Sequence, residues 1–240
     1  MVSPEPRHIG ILPAAGQASR MSGLIKELLP FGKKLTIDFS IAQLASVPVE
    51  LAYVIISPRK ANYILEQLRE KRGGVRFAYV CQSQPNGLGA AVKLVGPLIT
   101  KTDRMCFLMP DTFMTPADAM RRMSESLDYD LVLGIHRVED PWNYGVVTLR
   151  NGKCEEIIDK PRHPHSNYIW TSAIFNYKLF EIIGKLGRNS GEIQLTDAFA
   201  FALRKLKVKP VIFDDGVYYD FGTIEKYTMA LSDPKLSESG

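Results

Sequence analysis

Two cations follow a run of small residues near the start of the chain. Ile9–Leu12 is apolar, Ala14, Ala15 and Gly16 come next, then Arg20, and then Lys26 just before Leu28 and Leu29. A strand feeding a loop of small residues lets backbone N–H groups approach a phosphate closely. A guanidinium and an ammonium at this spacing suit the charge of further phosphates. The small-residue loop alone reads as a tight turn. The pair of cations turns the reading towards a nucleotide site.

Later stretches carry polar groups at the ends of strand-like runs. Gln82 to Gly89 holds Gly87 and Gly89, which would bring backbone against a ligand at a helix start; a polar strand-to-helix connection is the equal alternative. Met109-Pro110-Asp111-Thr112 puts a carboxylate at a strand end, a frequent Mg²⁺ position and an equally frequent Asx turn. Asn143-Tyr144-Gly145-Val146, Asp159-Lys160-Pro161 and Ser166 to Ser172 form a third group, in which Lys160 by itself is a solvated lysine. Gly191 to Asp197 and Tyr219 to Thr223 form a fourth. There Thr196 is placed as a helix N-cap, and Asp220 by itself is a turn aspartate before Gly222. His8, His136, His163 and His165 share no ligand spacing and read as surface or structural.

The elements that must position these residues alternate. Strands are expected at Ile9–Leu12, Leu51–Ile56, Val75–Cys81 and Met105–Met109. Helices are expected at Ile37–Ser46 (Ile37, Ile41, Leu44 and Ala45 inward), Asn62–Lys71 (Ile64, Leu65 and Leu68 inward), Ala90–Ile99 and Pro116–Leu127. After Tyr129 the rhythm becomes strand-rich: Leu131–Ile135, Gly145–Leu149, Lys153–Ile158 and Tyr168–Phe175, with a hairpin turn at Asn151-Gly152. Helices at Lys178–Leu186 and Thr196–Leu206 and a strand at Val208–Phe213 close the pattern. This predicts an α/β fold of three layers, Rossmann-like, with a mostly parallel central sheet and an added antiparallel part. One domain is expected over residues 1–231, with a first half of about 8–128 and a substrate-binding second half of about 129–231. Residues 232–240 are expected to be a polar tail.

The chain has 240 residues, enough for a sizeable core, and its net charge of +4 is dispersed. Nucleic acid is therefore not the natural partner. No apolar run is long enough to span a membrane, and residues 1–8 lack a signal-peptide core. Cys81, Cys106 and Cys154 have no metal or CxxC spacing, so each is expected to be a buried, reduced thiol in a cytoplasmic protein.

In order and spacing these segments resemble the sugar-phosphate nucleotidyltransferases, the nucleotide-sugar pyrophosphorylases. That family reads A-G-G-x-G-T-R-[LM] and then K-x-L-L-P; here Ala15 and Ala18 stand for two of the glycines. Q-x-x-P-x-G-L-[GA], Y-G-V, E-K-P, S-N-Y-x-x-T-G, G-E-x-x-L-T-D and D-[VI]-G-T follow, with Asp159 for the usual Glu and Ser172 for the usual Gly. The resemblance spans Ile9 to about Tyr227, and no C-terminal β-helix of the kind some relatives carry is expected.

The resemblance implies the nucleotide-diphospho-sugar transferase fold and a reaction between a nucleoside triphosphate and a sugar 1-phosphate. It implies nucleotide binding for the half of about 8–128 and sugar-phosphate binding for that of about 129–231. It gives Ala14, Ala15 and Gly16 the triphosphate loop, and Gln82 and Gly87 the base. Tyr144, Gly145, Asp159 and the Trp170 backbone take the sugar. Mg²⁺ falls to Asp111 and Asp220, the pyrophosphate end to Arg20, and the phosphates to Lys26 and Lys160. The Gly87 N–H can only donate, which favours UTP or dTTP over CTP. A cytidylyltransferase acting on a phosphorylated alcohol, and a regulatory subunit that binds a nucleotide sugar without catalysis, stay open as alternatives. A homo-oligomer is left open too.

Overall fold

The structure, a computed structural model, describes residues 6–17, 21, 23–186 and 192–233. Ala18, Arg20 and Gly191 lie outside the described residues. In chain order the first part runs β1 (His8–Ala14), β2 (Pro30–Phe31), β3 (Lys34–Leu35), α1 (Thr36–Ala45), β4 (Val49–Ile56), α2 (Ala61–Leu68), β5 (Lys71–Arg72), β6 (Val75–Cys81), α3 (Leu88–Lys93), β7 (Arg104–Leu108), β8 (Thr112–Met114) and α4 (Ala119–Ser124). The second runs β9 (Leu131–Arg137), β10 (Gly145–Arg150), β11 (Lys153–Asp159), β12 (Tyr168–Phe175), α5 (Lys178–Leu186), α6 (Leu195–Ala202), β13 (Val208–Ile212), β14 (Tyr218–Asp220) and α7 (Ile224–Leu231).

Both parts feed one ten-stranded sheet. Its centre, β7-β1-β4-β6, is parallel. β12 lies antiparallel to β7, and β9, β10 and β11 extend that antiparallel side. The side chains of a strand alternate between faces, and here the alternation divides the core in two. Ile11, Ile55, Phe107 and Leu133 pack beneath α3, α5 and α6. Leu12, Val54, Leu108 and Val132 pack beneath α1, α2 and α4. Three layers result.

The sheet forks at β12. Along one edge Ser172–Phe175 pair with β7, whereas Ile169 pairs with Val146 of β10. β7 and β10 therefore diverge, and a cleft opens between them. Thr171, at the fork, is an extra residue: pairing with β9 passes from Trp170↔Ile135 to Ser172↔Gly134. A bulge of this kind bends the strand and re-aims its side chains.

Several elements differ from expectation. α2 ends at Leu68 because Arg69 takes a positive φ of 53° and the chain doubles back as β5 against β6. α3 stops at Lys93, and a single 3₁₀ turn follows around Pro97. α4 is short because the buried Arg104 guanidinium takes the carbonyls of Ser126, Leu127 and Tyr129 at 2.6–3.2 Å, satisfying groups that a longer helix would use. Ala45 and Leu65, expected inward, are exposed. Cys106 is buried, but Cys154 is half-buried and Cys81 exposed at the open end of β6.

Candidate active site

The side expected to take the nucleotide is assembled at the C-terminal ends of parallel strands. Ala14 is buried in the core, while Ala15 and Gly16 line the cleft beyond β1. Lys26 begins a 3₁₀ turn, and its carbonyl accepts from Thr36 Oγ1 (2.6 Å) at the start of α1. The next residue is fixed from the opposite side. Both Glu27 carboxylate oxygens accept from Lys60 Nζ (2.8 and 2.9 Å), and this pair is almost wholly buried. Lys26 Nζ donates to Asp111 Oδ2. Burial works to lower the Lys26 pKa, but the charges of Asp111, Glu27 and Asp220 outweigh it and the net direction is up. Lys26 is thus an ammonium throughout the working pH range.

Asp111 and Asp220 meet through a ribbon. The turn after β7 is closed by Thr112 Oγ1 and Ser40 Oγ, both donating to the Met109 carbonyl (2.9 and 2.8 Å). β8 then pairs antiparallel with β14, setting Asp220 opposite Thr112. The Phe221 N–H donates to the Asp111 carbonyl (3.0 Å). Phe31, Phe113 and Phe221 form a small aromatic core beneath the ribbon. The Gly222 N–H donates to Asp220 Oδ1 (2.7 Å), and a Cβ on Gly222 would lie 2.7 Å from that oxygen. Burial, and then the charge of Asp111, push the Asp220 pKa up.

This pair fits a hard divalent cation. Asp111 Oδ1 is buried and has no partner among the described residues, a costly state for an acceptor unless something meets it. No cluster of three or more His, Cys, Asp or Glu side chains suited to a metal occurs among the described residues. Mg²⁺ asks for one or two carboxylates, with phosphates and water completing its shell.

The opposite wall comes from the antiparallel side. Gly145 opens β10, Asp159 ends β11 and Trp170 lies near the start of β12, so alternating strand directions bring all three to one edge. The Trp170 Nε1–H donates to Thr196 Oγ1 (3.2 Å), and the Thr196 hydroxyl donates to Asp159 Oδ1 (3.0 Å). Gly145 is required here, since a Cβ would stand 2.0 Å from Trp170 Nε1. Thr196 lies within α6, whose N-cap is Gln194. It is therefore not the expected N-cap but the link that orients Asp159. Lys160 has a positive φ of 44°, its N–H donates to the Tyr144 carbonyl (2.9 Å), and its side chain is exposed.

The loop expected to read the base adjoins. Gly87 has φ +91°, and a Cβ there would be 2.5 Å from the Ile193 carbonyl. Gly89 N–H bonds that carbonyl (2.8 Å), and Ile193 N–H bonds Asn86 O (3.0 Å), clipping the loop down. Gln82 Nε2 lies 3.4 Å from the Gly87 carbonyl.

Lys26, Asp111, Tyr144, Gly145, Asp159, Lys160, Trp170 and Asp220 line one cleft of about 340 Å³. Ala15, Gly16, Gln82 and Gly87 line a pocket that shares Gly16 and Lys26 with it. Of the expected site residues described, Ala14 alone lines neither. Sequence reasoning missed Thr196 as an orienting group, the Glu27–Lys60 pair and Lys226, whose Nζ is 3.8 Å from Asp220 Oδ2. For Lys226 the sequence held no periodic signal: Asp220, six residues earlier, sits on β14 while Lys226 sits on α7, and its other partners, Asp140 and Tyr144, lie far along the chain.

Known proteins share this arrangement of elements. The family described as "Nucleotidyl transferase" matches residues 9–235. A glucose-1-phosphate thymidylyltransferase of Xanthomonas campestris pv. campestris is 28% identical over 199 residues, covering 78% of this chain and 67% of that protein. The Bacillus subtilis UTP–glucose-1-phosphate uridylyltransferase YngB is 23% identical over 250 residues, covering 88% and 84%. A Bacillus anthracis structure, provisionally named a glucose-1-phosphate thymidylyltransferase and solved with sucrose, superposes with a TM-score of 0.85 at 24% identity, covering 97% of this chain and 94% of that one. That last likeness concerns the fold.

Proposed function

The chain belongs to the nucleotidyl transferase family, and on that premise we propose that it joins a nucleoside triphosphate, UTP or dTTP before CTP, to a glucose-1-phosphate-like sugar 1-phosphate with release of pyrophosphate. The observation that carries this reading is the shared cleft: Lys26, Asp111 and Asp220 face Asp159 and Lys160 across it. The relatives named thymidylyl- and uridylyltransferases support it. No helix among the described residues is long and apolar enough to cross a membrane.

In this reading an oxygen of the sugar phosphate attacks the α-phosphorus in line, and pyrophosphate leaves. The nucleophile is already an anion, so no strong general base is required. The protein must hold two anions that repel each other and stabilise charge on the leaving group. Lys26, charged and held in place, meets the triphosphate. Lys160 takes the sugar phosphate, and Arg20 the pyrophosphate end. Asp159, oriented by Thr196, accepts from sugar hydroxyls beside Tyr144, Gly145 and Trp170. Asp111, through Oδ1, and Asp220 would hold Mg²⁺, which when bound supplies positive charge to the phosphates.

The base preference follows from two groups. With its Nε2 towards the Gly87 carbonyl, the Gln82 amide presents an acceptor to an N3–H of uracil or thymine. The Gly87 N–H has no partner among the described residues and donates to O4. Cytosine mismatches both, at a cost of about 1–3 kcal/mol for a buried group left unpaired. The test is pyrophosphate release with UTP, dTTP and CTP against a panel of sugar 1-phosphates. A clear CTP preference overturns the base assignment. Nucleotide-sugar binding without turnover on any pair overturns the enzyme reading.

A further inference from the structure

Lys226 stands where the two walls of the cleft approach each other and belongs to none of the motifs. It projects from the first turn of α7, where Thr223 Oγ1 accepts from its backbone N–H (3.3 Å). Its Nζ lies 3.0 Å from Asp140 Oδ2 and 3.8 Å from Asp220 Oδ2. It also donates to the Tyr144 hydroxyl and sits 4.5 Å from the centre of that ring. The side chain is 26% exposed and that of Asp220 25%, so water screens the pair only in part.

The carboxylate pair is therefore already balanced by lysines. Lys26 holds Asp111, and Lys226 faces Asp220. A divalent ion on Asp220 would lie about 2 Å from a carboxylate oxygen, and hence only a few ångström from the Lys226 ammonium. Like charges so close in a half-buried site repel strongly. Asp140 offers the ammonium a second and nearer carboxylate partner. Resting on the proposed metal role of Asp111 and Asp220, we propose that Lys226 is a built-in counter-cation of Asp220. It keeps bare divalent ions off the pair and yields towards Asp140 when an ion arrives with the triphosphate. The negative charge of the triphosphate then offsets the repulsion that a bare ion meets.

Lys226 is thus a positioning residue, and its test reads metal binding rather than turnover. Mn²⁺ alone is titrated into the folded protein and the free ion followed by electron paramagnetic resonance, with a thermal melt for each variant. Lys226→Met and Lys226→Gln should bind bare Mn²⁺ at least about tenfold more tightly than the parent protein, since a repelling charge is gone. Asp140→Asn should bind it several-fold more weakly, because Asp220 is then the one carboxylate partner of the ammonium among the described residues. In the Lys226→Met background, Asp140→Asn should change little. Opposite signs from two neighbouring substitutions are not what structural damage produces. If both Lys226 variants are folded and bind Mn²⁺ no more tightly than the parent, the counter-cation role is wrong. If Asp111→Asn leaves the Mn²⁺ affinity of Lys226→Met unchanged, the ion is not on the carboxylate pair, and it is the metal assignment that falls.

Discussion

Lys26 and Lys160 face one cleft from opposite walls and are built in opposite ways. Lys26 is 19% exposed and already ion-paired to Asp111, its carbonyl is held by Thr36, and the next side chain is locked by Lys60. Lys160 is 57% exposed, stands 3.9 Å from Asp159, and takes its place from a positive φ of 44° and one backbone bond to Tyr144. The first wall grows from parallel strands covered on both faces; the second sits at the ends of an antiparallel hairpin. A site that must bring two mutually repelling anions together needs at least one of them held without reorganisation. In the proposed reading the buried wall would do that for the triphosphate, while the open wall offers an exposed ammonium to the second phosphate.

The largest effect should come from the buried wall. Asp111→Asn should lower pyrophosphate release by on the order of a thousandfold with little change in the melt. The fold survives because it is the Asp111 carbonyl, not its side chain, that holds Phe221. A rate within tenfold of the parent would mean that the chemistry is not centred there. On the open wall, Lys160→Ala should cut kcat/KM for the sugar phosphate by about a hundredfold. Triphosphate affinity, measured by calorimetry, should stay within a factor of two or so, because Lys160 is held by Tyr144 and Asp159 of its own wall. Equal loss of both would erase the distinction between the two walls.

The same contrast explains what was legible in the sequence. Alternating runs such as Ile9–Leu12 and Leu51–Ile56 announce strands, and the small residues after the first announce its loop. Motif order points to Lys26, Asp111, Lys160 and Asp220, and these four line one cleft. The ribbon that joins Asp111 to Asp220 was not foreseen, because β8 and β14 are three residues each and too short to show a period. Thr196 looks like an N-cap because threonine precedes a helical run, yet the helix begins before it and its hydroxyl serves Asp159. Lys226 and the Glu27–Lys60 pair are tertiary facts. Lys60 lies 33 residues from Glu27, and Lys226 meets Asp220 only because the turn between β14 and α7 folds six residues back.

A smaller effect tests the packing of the open wall. In Gly145→Ala the new Cβ would stand 2.0 Å from Trp170 Nε1 and 3.0 Å from Thr196 Oγ1. Either the indole or the start of β10 must shift. A displacement of that size next to a reacting ligand costs about tenfold to a hundredfold. It should appear as a raised KM for the sugar phosphate, with KM for the triphosphate nearly unchanged. A rise in the triphosphate KM instead would show that the two walls are mechanically coupled.

The smallest effect concerns how the open wall is oriented at all. Thr196 is buried and receives the Trp170 N–H while giving its own proton to Asp159. Thr196→Val keeps the shape but removes both bonds. The Asp159 side chain is 26% exposed, so water can replace the lost donor, and the stability cost should stay near 1 kcal/mol. The carboxylate, no longer aimed, must then be ordered by the sugar itself, and the ligand meets that entropy on binding. KM for the sugar phosphate should therefore rise by about fivefold to tenfold with the triphosphate KM untouched. Thr196→Ser, which restores the hydroxyl, should recover most of the affinity. If the valine and serine variants share one KM, Asp159 needs no orienting hydroxyl, and the open wall is organised by the Trp170 packing alone.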